Sequence, residues 1–247
     1  REFVPVLKPE AFDSVVFEPE STDIDVNSLH GGFLKAFVGQ GGDVICDAEV
    51  LAMQQVKDIW HVRTKSGSFE APFVINASGA WGDVVAQRAN VHRMGLTPKR
   101  RTVILFDPPS DVNIKNWPLV IDADENWYFK PEAGKVLASP ADETPVEPCD
   151  AQAEELDIAY IVDAIERITT MKVGRISHSR AGLRTFLPDK TPVVGRAPDA
   201  KGFFWLVGQG GYGIETSPAL GELASSLIVD GEVPARFIKE GFSVEDV

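Results

Sequence analysis

The chain has 247 residues, a formal net charge of −13 at pH 7 and 44% apolar residues, which is the composition of a globular protein with one large or two ordinary domains. The acidic balance argues against nucleic acid and anionic membranes as partners, and no apolar run approaches the ~20 residues that a membrane helix needs. The four histidines are isolated and the two cysteines, Cys46 and Cys149, are far apart, so the sequence predicts no metal site and favours buried thiols in a reducing, cytoplasmic compartment.

The first predicted element is a helix that begins after Asp25 and ends at the glycines of residues 39–42. Its apolar face comprises Leu29, Phe33, Ala36 and Phe37. Strands are predicted at 44–46, 50–56, 59–64 and 73–76. The last of these strands continues into the turn Ser78-Gly79-Ala80-Trp81, and a second helix follows that turn.

Residues 97–140 have the character of a mainly antiparallel sheet. Its strands are predicted at 102–106, 117–121, 127–130 and 136–138. A helix capped by Asp150 follows, and its inward face is predicted to comprise Leu156, Tyr160, Ile161, Ala164, Ile165 and Ile168. Strands at 173–179 and 203–207 and a C-terminal helix complete the chain. We therefore expect two interleaved units, an α/β unit of residues 21–95 and 182–247 and a sheet-rich unit of residues 1–20 and 96–181.

A glycine-rich turn, GQGGYG at residues 208–213, has the G-x-G-x-x-G spacing of a dinucleotide-binding fingerprint. In that fold the turn leads through a helix to a second parallel strand, with an acidic residue about 20 residues further on. Here a helix is predicted, but the residues after Asp230 contain no apolar run long enough for a buried strand. The turn therefore fails the test for a Rossmann fingerprint. It can still present backbone N–H groups and a helix N-terminus to an electron-rich group.

Three stretches of the chain together resemble the FAD-dependent D-amino-acid oxidase and dehydrogenase superfamily, which includes glycine and sarcosine oxidases. They are VINASGAWG at 74–82, AGLRTFLPDKTPVVG at 181–195 and GQGGYGIETSP at 208–218. The likeness extends to bacterial D-arginine-type D-amino-acid dehydrogenases at residues 127–131, 139–142 and 209–214. Proteins of the family begin with a βαβ unit that binds the cofactor diphosphate, and the sequence contains no counterpart of it. We therefore expect a fragment that is completed by an N-terminal segment or by a second polypeptide.

The resemblance implies a mixed α/β fold, in which an incomplete Rossmann-like unit binds FAD and the sheet-rich unit binds the substrate. The residues that it places against FAD are Val50, Ser78, Gly79, Trp81, Gly210, Gly211, Gly213, Ile214 and Glu215. In the family the turn at 208–213 meets the flavin ring, where glycines let the main chain approach without a Cβ. An ordinary strand-to-helix turn remains the alternative for this segment, and a plain core valine remains the alternative for Val50.

The resemblance also implies a substrate site made by Arg184, Arg101, Tyr128 and the carbonyl of Gly211. Arg184 is expected to hold the substrate carboxylate, because a guanidinium binds a carboxylate through two parallel hydrogen bonds. For Arg101, whose neighbours Lys99 and Arg100 are also basic, a solvated surface charge is an equally open interpretation. Tyr128 could donate a hydroxyl to the carboxylate, or it could pack in an aromatic cluster.

The implied reaction is hydride transfer from Cα of a D-amino acid to flavin, with basic substrates such as D-arginine first. The imino acid product is then hydrolysed to a 2-oxo acid and ammonia. No catalytic acid or base is expected in the protein, because a deprotonated substrate amine assists the departure of hydride and the cofactor supplies the chemistry. Two alternatives stay open: an amine oxidoreductase like the glycine, sarcosine or opine oxidases, and a non-catalytic fragment or binding subunit that another chain completes.

Overall fold

The computed structural model of the chain describes residues 2–242, and it confirms a mixed α/β fold. The helices are α1 (Val26–Gly39), α2 (Gly82–Arg88), α3 (Glu155–Ile168), α4 (Gly213–Val229) and α5 (Ala235–Lys239). The strands are β1 (Val50–Val56), β2 (Ile59–Thr64), β3 (Gly67–Ala71), β4 (Val74–Asn76), β5 (Thr97–Phe106), β6 (Val120–Ile121), β7 (Tyr128–Glu132), β8 (Lys135–Ser139), β9 (Thr144–Pro145), β10 (Ile176–Phe186), β11 (Val193–Arg196) and β12 (Phe203–Val207). Within this part of the chain, no helix has both the length and the apolar character needed to cross a bilayer.

The chain forms two units with separate internal contacts. The first comprises the chain up to Pro19 together with Pro98–Arg184, and the second comprises Glu20–Thr97 together with the chain from Thr185 onward. The sequence-based division places its boundaries after residues 20, 95 and 181, whereas the structure has them after residues 19, 97 and 184.

The first unit is a sheet with the strand order β10-β5-β8-β7-β6, in which β9 also pairs with β5. Side chains alternate between the two faces of such a sheet. Ile104, Phe129 and Ala138 are fully buried on one face, where they form a core with Ile161 and Ile165 of α3. Each large apolar side chain buried in this way stabilises the fold by about 1.5–3 kcal/mol. The core thus fixes which residues of β5, β7 and β8 lie on the opposite face.

The second unit contains a sheet with the order β11-β12-β4, in which β12 and β4 run parallel. Both faces of its central strand, β12, are covered. Phe203 and Trp205 of β12 pack in a cluster with Ala86 of α2, while Phe204 packs with Leu223 of α4 on the other side. The antiparallel sheet β1-β2-β3 adds side chains to the first of these clusters. The turns that lead into α2 and α4 therefore start from the ends of two neighbouring parallel strands, β4 and β12.

Helix α1 differs from the other long helices because none of its residues is buried. Asp25 caps it as predicted, since its carboxylate accepts a hydrogen bond from the Ser28 N–H at 2.9 Å. The large apolar side chains that α1 leaves exposed are Val26, Phe33, Leu34, Phe37 and Val38. An amphipathic helix normally buries such a face.

Several sequence-based predictions of secondary structure are wrong. Residues 44–46 form no strand, and the strands β3 and β11 were not predicted. Helix α3 begins after Glu154 rather than Asp150. Its residues Leu156 and Tyr160 are exposed, whereas the other predicted inward residues are buried. The thiols of Cys46 and Cys149, predicted to be buried, are both exposed, and Cys46 lies in the segment that forms no strand.

Candidate cofactor and substrate sites

The glycine turn at 208–213 connects the buried strand β12 to helix α4. Gly208 and Gly210 have φ angles of +81° and +54°, which L-residues with a side chain seldom adopt. A Cβ at Gly210 would lie 2.5 Å from the ring of Phe186, and the Gly210 N–H donates to the Thr185 carbonyl at 2.9 Å. The packing against Phe186 therefore requires a glycine at this position whether or not a ligand approaches the turn.

Helix α4 begins at this turn without a side-chain cap, so the N–H groups of its first turn can donate to a ligand. The side chains of Tyr212 and Ile214 are exposed there. Gly211 and Glu215 are exposed as well, and Gly213 is partly buried. A carboxylate such as that of Glu215 is favourable in the first turn of a helix whether or not it meets a ligand.

The second glycine turn, Ser78–Trp81, is shaped by a buried residue that the sequence analysis did not single out. Asn76, at the end of β4, accepts a hydrogen bond from the Ser78 hydroxyl at 2.6 Å and donates to the Gly82 carbonyl at 2.9 Å. Gly79 has a φ angle of +55°, and Trp81 is exposed. A buried amide that bonds both ends of a turn holds the turn in one shape. In the sequence, the only hint of this turn-holding role was an asparagine at the end of the predicted strand 73–76.

Val50, at the start of β1, packs against the cluster around Trp205. Its carbonyl accepts a hydrogen bond from the guanidinium of Arg88, and that guanidinium also pairs with Glu49 at 3.1 Å. These contacts agree with the interpretation of Val50 as a plain core valine, and its contact with FAD stays a prediction.

The residues present in the second unit fit a flat aromatic cofactor. Large apolar side chains are exposed at both glycine turns, namely Trp81 at one and Tyr212 and Ile214 at the other. An aromatic ring can cover such surface, while the uncapped start of α4 favours negative charge beside it.

Arg101 and Tyr128 belong to the face of the first unit's sheet that is opposite the α3 core. The Arg101 side chain is only 10% exposed, so the interpretation as a solvated surface charge is wrong. Its Nε is buried without a hydrogen-bond partner among residues 2–242, and one of its terminal nitrogens lies 3.4 Å from Glu143. Burial lowers the pKa of the Arg101 guanidinium, the positive charge of Arg184 lowers this pKa further, and Tyr128 acts in the opposite direction. Arg101, Arg184 and Tyr128 therefore lie close enough to interact.

The neighbouring Arg100 faces the other way and has a structural role that the sequence did not reveal. Its guanidinium is buried and pairs with Asp142 at 3.5 Å, with Asp157 at 2.9 Å and with Glu154. Asp142 also accepts hydrogen bonds from the backbone and hydroxyl of Thr102 at 2.6 and 3.1 Å. This network joins β5 to the start of α3 and to the segment that carries Glu143.

Comparison with known proteins gives a consistent family. The profile described as "DAO: FAD dependent oxidoreductase" matches residues 1–227. FAD-dependent oxidoreductase domain-containing protein 1 of Xenopus laevis is 30% identical over 187 residues, which cover 68% of this chain and 36% of the relative. Mitochondrial sarcosine dehydrogenase of Mus musculus is 24% identical over 247 residues, which cover 94% of this chain and 27% of the relative. The chain therefore spans well under half the length of these two relatives.

Solved structures show the same fold. Glycine oxidase from Geobacillus kaustophilus superposes with a TM-score of 0.71 at 21% identity, over 84% of this chain and 54% of that protein. An L-α-glycerophosphate oxidase from Mycoplasma pneumoniae, solved with FAD bound, has a TM-score of 0.67 at 20% identity, over 79% of this chain and 54% of that protein. Because the family profile covers most of the chain, this protein belongs to the DAO family of FAD-dependent oxidoreductases, whose cofactor is FAD.

Proposed function

We propose that this chain forms part of an FAD-dependent enzyme that oxidises the carbon–nitrogen bond of an amino acid. The observation that carries the proposal is the guanidinium pair of the first unit, in which the buried Nε of Arg101 lacks a partner among the described residues and Arg184 lies within electrostatic reach. Two cations that repel each other are stabilised when an anion binds both. A carboxylate suits this site, because its two oxygens accept hydrogen bonds from several donors at once.

In this proposal Arg101 and Arg184 hold the substrate by its carboxylate, which takes no part in the oxidation. Tyr128 adds a hydroxyl donor to the same carboxylate. A substrate fixed at its carboxylate keeps its Cα and its amine in a defined orientation, which lowers the entropic part of the barrier. The chemistry that FAD supplies when bound is the acceptance of a hydride from Cα, which leaves an imine that water hydrolyses to an oxo acid and ammonia.

The second unit is proposed to hold the cofactor through its two glycine turns. The residues for this role are Ser78, Gly79 and Trp81 in one turn and Gly210, Gly211, Gly213, Ile214 and Glu215 in the other, with the backbone of Val50 as a further contact. The start of α4 would stabilise negative charge on the bound ring, because the N-terminus of a helix carries partial positive charge. Support for this role comes from the exposed apolar side chains beside both turns and from the uncapped helix.

Two classes of substrate are compatible with this site. A D-amino acid of the D-arginine type is favoured by the sequence likeness at residues 127–131 and 209–214. An N-substituted or unsubstituted glycine, or an opine, is favoured by relatives that include sarcosine dehydrogenase of Mus musculus. Flavin reduction by D-arginine, but not by L-arginine or sarcosine, would support the first class, and reduction by sarcosine or glycine alone would support the second.

Replacement of Arg184 tests the proposal directly. In the FAD-loaded enzyme, Arg184→Met is expected to lower kcat/KM by about 10- to 150-fold, because a charge-assisted contact to the substrate carboxylate is worth about 1.5–3 kcal/mol. The flavin absorption spectrum should not change. Arg167→Met serves as the matched control, since Arg167 is an exposed arginine of α3. An unchanged kcat/KM in Arg184→Met would refute the carboxylate site.

A further inference from the structure

An acidic side chain, Glu143, pairs with one of the cations of the proposed carboxylate site. The Glu143 carboxylate lies 3.4 Å from a terminal nitrogen of Arg101 and 2.7 Å from the ammonium of Lys99. Lys99 and Arg101 stand two residues apart on β5, so both side chains lie on the face of the sheet that is opposite the α3 core. Glu143 therefore bridges two neighbouring cations beside the place where the substrate carboxylate is proposed to bind.

The main chain of Glu143 is held on both sides by contacts with β5. The preceding residue, Asp142, has a buried side chain that accepts hydrogen bonds from the Thr102 N–H at 2.6 Å and from the Thr102 hydroxyl at 3.1 Å. The following residue, Thr144, is the register partner of Arg100 where β9 pairs with β5. Because this segment is anchored on both sides of Glu143, the contact of Glu143 with Arg101 costs little backbone freedom.

The contact with Glu143 leaves Arg101 able to bind a ligand. Glu143 meets a terminal nitrogen, while the buried Nε of Arg101 has no hydrogen-bond partner within residues 2–242. An arginine side chain loses rotamer freedom when it binds a ligand, and a guanidinium that is already held loses less. Burial and the charge of Arg184 lower the pKa of Arg101, whereas Tyr128 and Glu143 act in the opposite direction. Glu143 therefore orients the guanidinium and offsets part of its repulsion from Arg184.

We infer that Glu143 is a positioning residue of the substrate site, which holds Arg101 in the orientation that receives the substrate carboxylate and does not itself contact the substrate. The inference rests on the proposed function, because the orientation of Arg101 matters only if Arg101 binds a carboxylate. A purely electrostatic role of Glu143 has the opposite consequence. A carboxylate beside an anion site repels the ligand, so its removal would tighten binding, whereas the loss of a positioning contact weakens binding.

Titration of the 247-residue protein with butyrate, followed by NMR, tests the inference and does not depend on enzymatic activity. Butyrate presents a carboxylate and has no amine that can be oxidised. We expect Glu143→Ala to weaken butyrate binding by about 2- to 12-fold, which is the cost of ordering one flexible side chain at a binding site. Glu143→Gln should bind butyrate at least as tightly as the wild type, because its amide oxygen accepts the hydrogen bond from Arg101 and carries no charge. Glu147→Ala, which removes a charge at an exposed position of the same segment, should bind butyrate like the wild type.

The nitrogen relaxation of the Arg101 Nε–H group measures the orientation of this side chain directly and without a ligand. We expect the group to be more mobile on the ps–ns timescale in Glu143→Ala than in the wild type, and Glu143→Gln to resemble the wild type. Three results would overturn the inference alone: butyrate binding by Glu143→Ala that is as tight as in the wild type or tighter, an equal loss of affinity in Glu143→Gln or Glu147→Ala, or a loss in Glu143→Ala with no change in the mobility of Arg101. If butyrate did not bind the wild type, the carboxylate site of the proposed function would fall first and the inference with it.

Discussion

At the scale of single residues, the two glycine turns need their glycines for different reasons. Gly210 and Gly79 have nearly equal φ angles, +54° and +55°. A Cβ at Gly210 would clash with Phe186, whereas a Cβ at Gly79 would meet no atom within 4 Å. An alanine in this conformation costs about 1–2 kcal/mol, and overpacking adds about 1–3 kcal/mol. We therefore expect Gly210→Ala to lower the free energy of unfolding more than Gly79→Ala does.

Urea unfolding of the two variants measures this difference. Gly221→Ala provides the control, because Gly221 lies inside α4 and a Cβ there would meet no atom within 4 Å. Alanine is the better helix former, so this variant should be as stable as the wild type or up to about 1 kcal/mol more stable. Equal losses for Gly210→Ala and Gly79→Ala would show that backbone conformation alone explains both glycines.

The sequence could propose the polar residues of the site but could not assign their environments. Lys99, Arg100 and Arg101 are consecutive basic residues, and a run of charges usually indicates a solvated surface. In the strand they alternate, so that Arg100 enters a buried cluster of carboxylates while Arg101 lies on the opposite face. The carboxylates of that cluster lie 42 to 57 residues after Arg100 in the chain, and a single sequence carries no signal for such distant pairs.

At the scale of secondary structure, α1 stands out because none of its residues is buried by the rest of the described chain. A helix of 14 residues is marginal in water unless its apolar face is covered. Phe33 is 54% exposed and Phe37 is 52% exposed, so this face is available to a further polypeptide or to a second copy of the chain. We expect the 247-residue protein to associate as its concentration rises, and we expect Phe33→Glu to weaken that association.

Analytical ultracentrifugation over a range of concentrations tests this prediction. Asn27→Glu is the control for the added negative charge, since Asn27 is a neutral, exposed residue of the same helix. If the wild type stayed monomeric at high concentration, or if Asn27→Glu had the same effect as Phe33→Glu, the apolar face of α1 would not be the cause.

The elements that the sequence predicted well are those whose side-chain pattern is long and regular. The hairpin β1-β2 follows the predicted limits, and β12 matches its apolar run, because burial imposed a clear pattern on both. The predicted strand at 44–46 is absent because Val44 and Ile45 pair with no strand within residues 2–242 and remain exposed. Helix α3 begins later than predicted, and the carboxylate of Glu154 pairs with Arg100 instead of capping the helix. Short apolar runs and caps depend on distant partners, which local patterns do not contain.

At the scale of the whole molecule, the stability of a chain with a net charge of −13 depends on which of its carboxylates pair with hydrogen-bond donors or cations. Hydrogen bonds from the Ser28 backbone and hydroxyl lower the pKa of Asp25, and Lys65 and Arg88 lower the pKa of Glu49. Hydrogen bonds from Lys172 and from the Val173 backbone likewise lower the pKa of Glu166. The two units therefore both contain carboxylates that stabilise the fold only while they are ionised.

The pH dependence of stability follows from the direction of these pKa shifts. A carboxylate whose pKa is lowered by folding stabilises the protein fully above its ordinary pKa, which is 4.5 for Glu49, and this stabilisation is lost as the pH falls through the lowered value. Acid also reduces the self-repulsion of a chain with excess negative charge, which acts in the opposite direction.

Urea unfolding of the wild type and of Glu49→Gln tests this pH dependence, because the difference between their midpoints cancels the general effect of self-repulsion. Glu147→Gln, at an exposed position, controls for the loss of one charge. We expect the urea midpoint of the wild type to exceed that of Glu49→Gln at pH 7, and the gap to close as the pH falls below 4.5. A gap that stayed constant with pH would mean that Glu49 contributes through packing rather than through its charge.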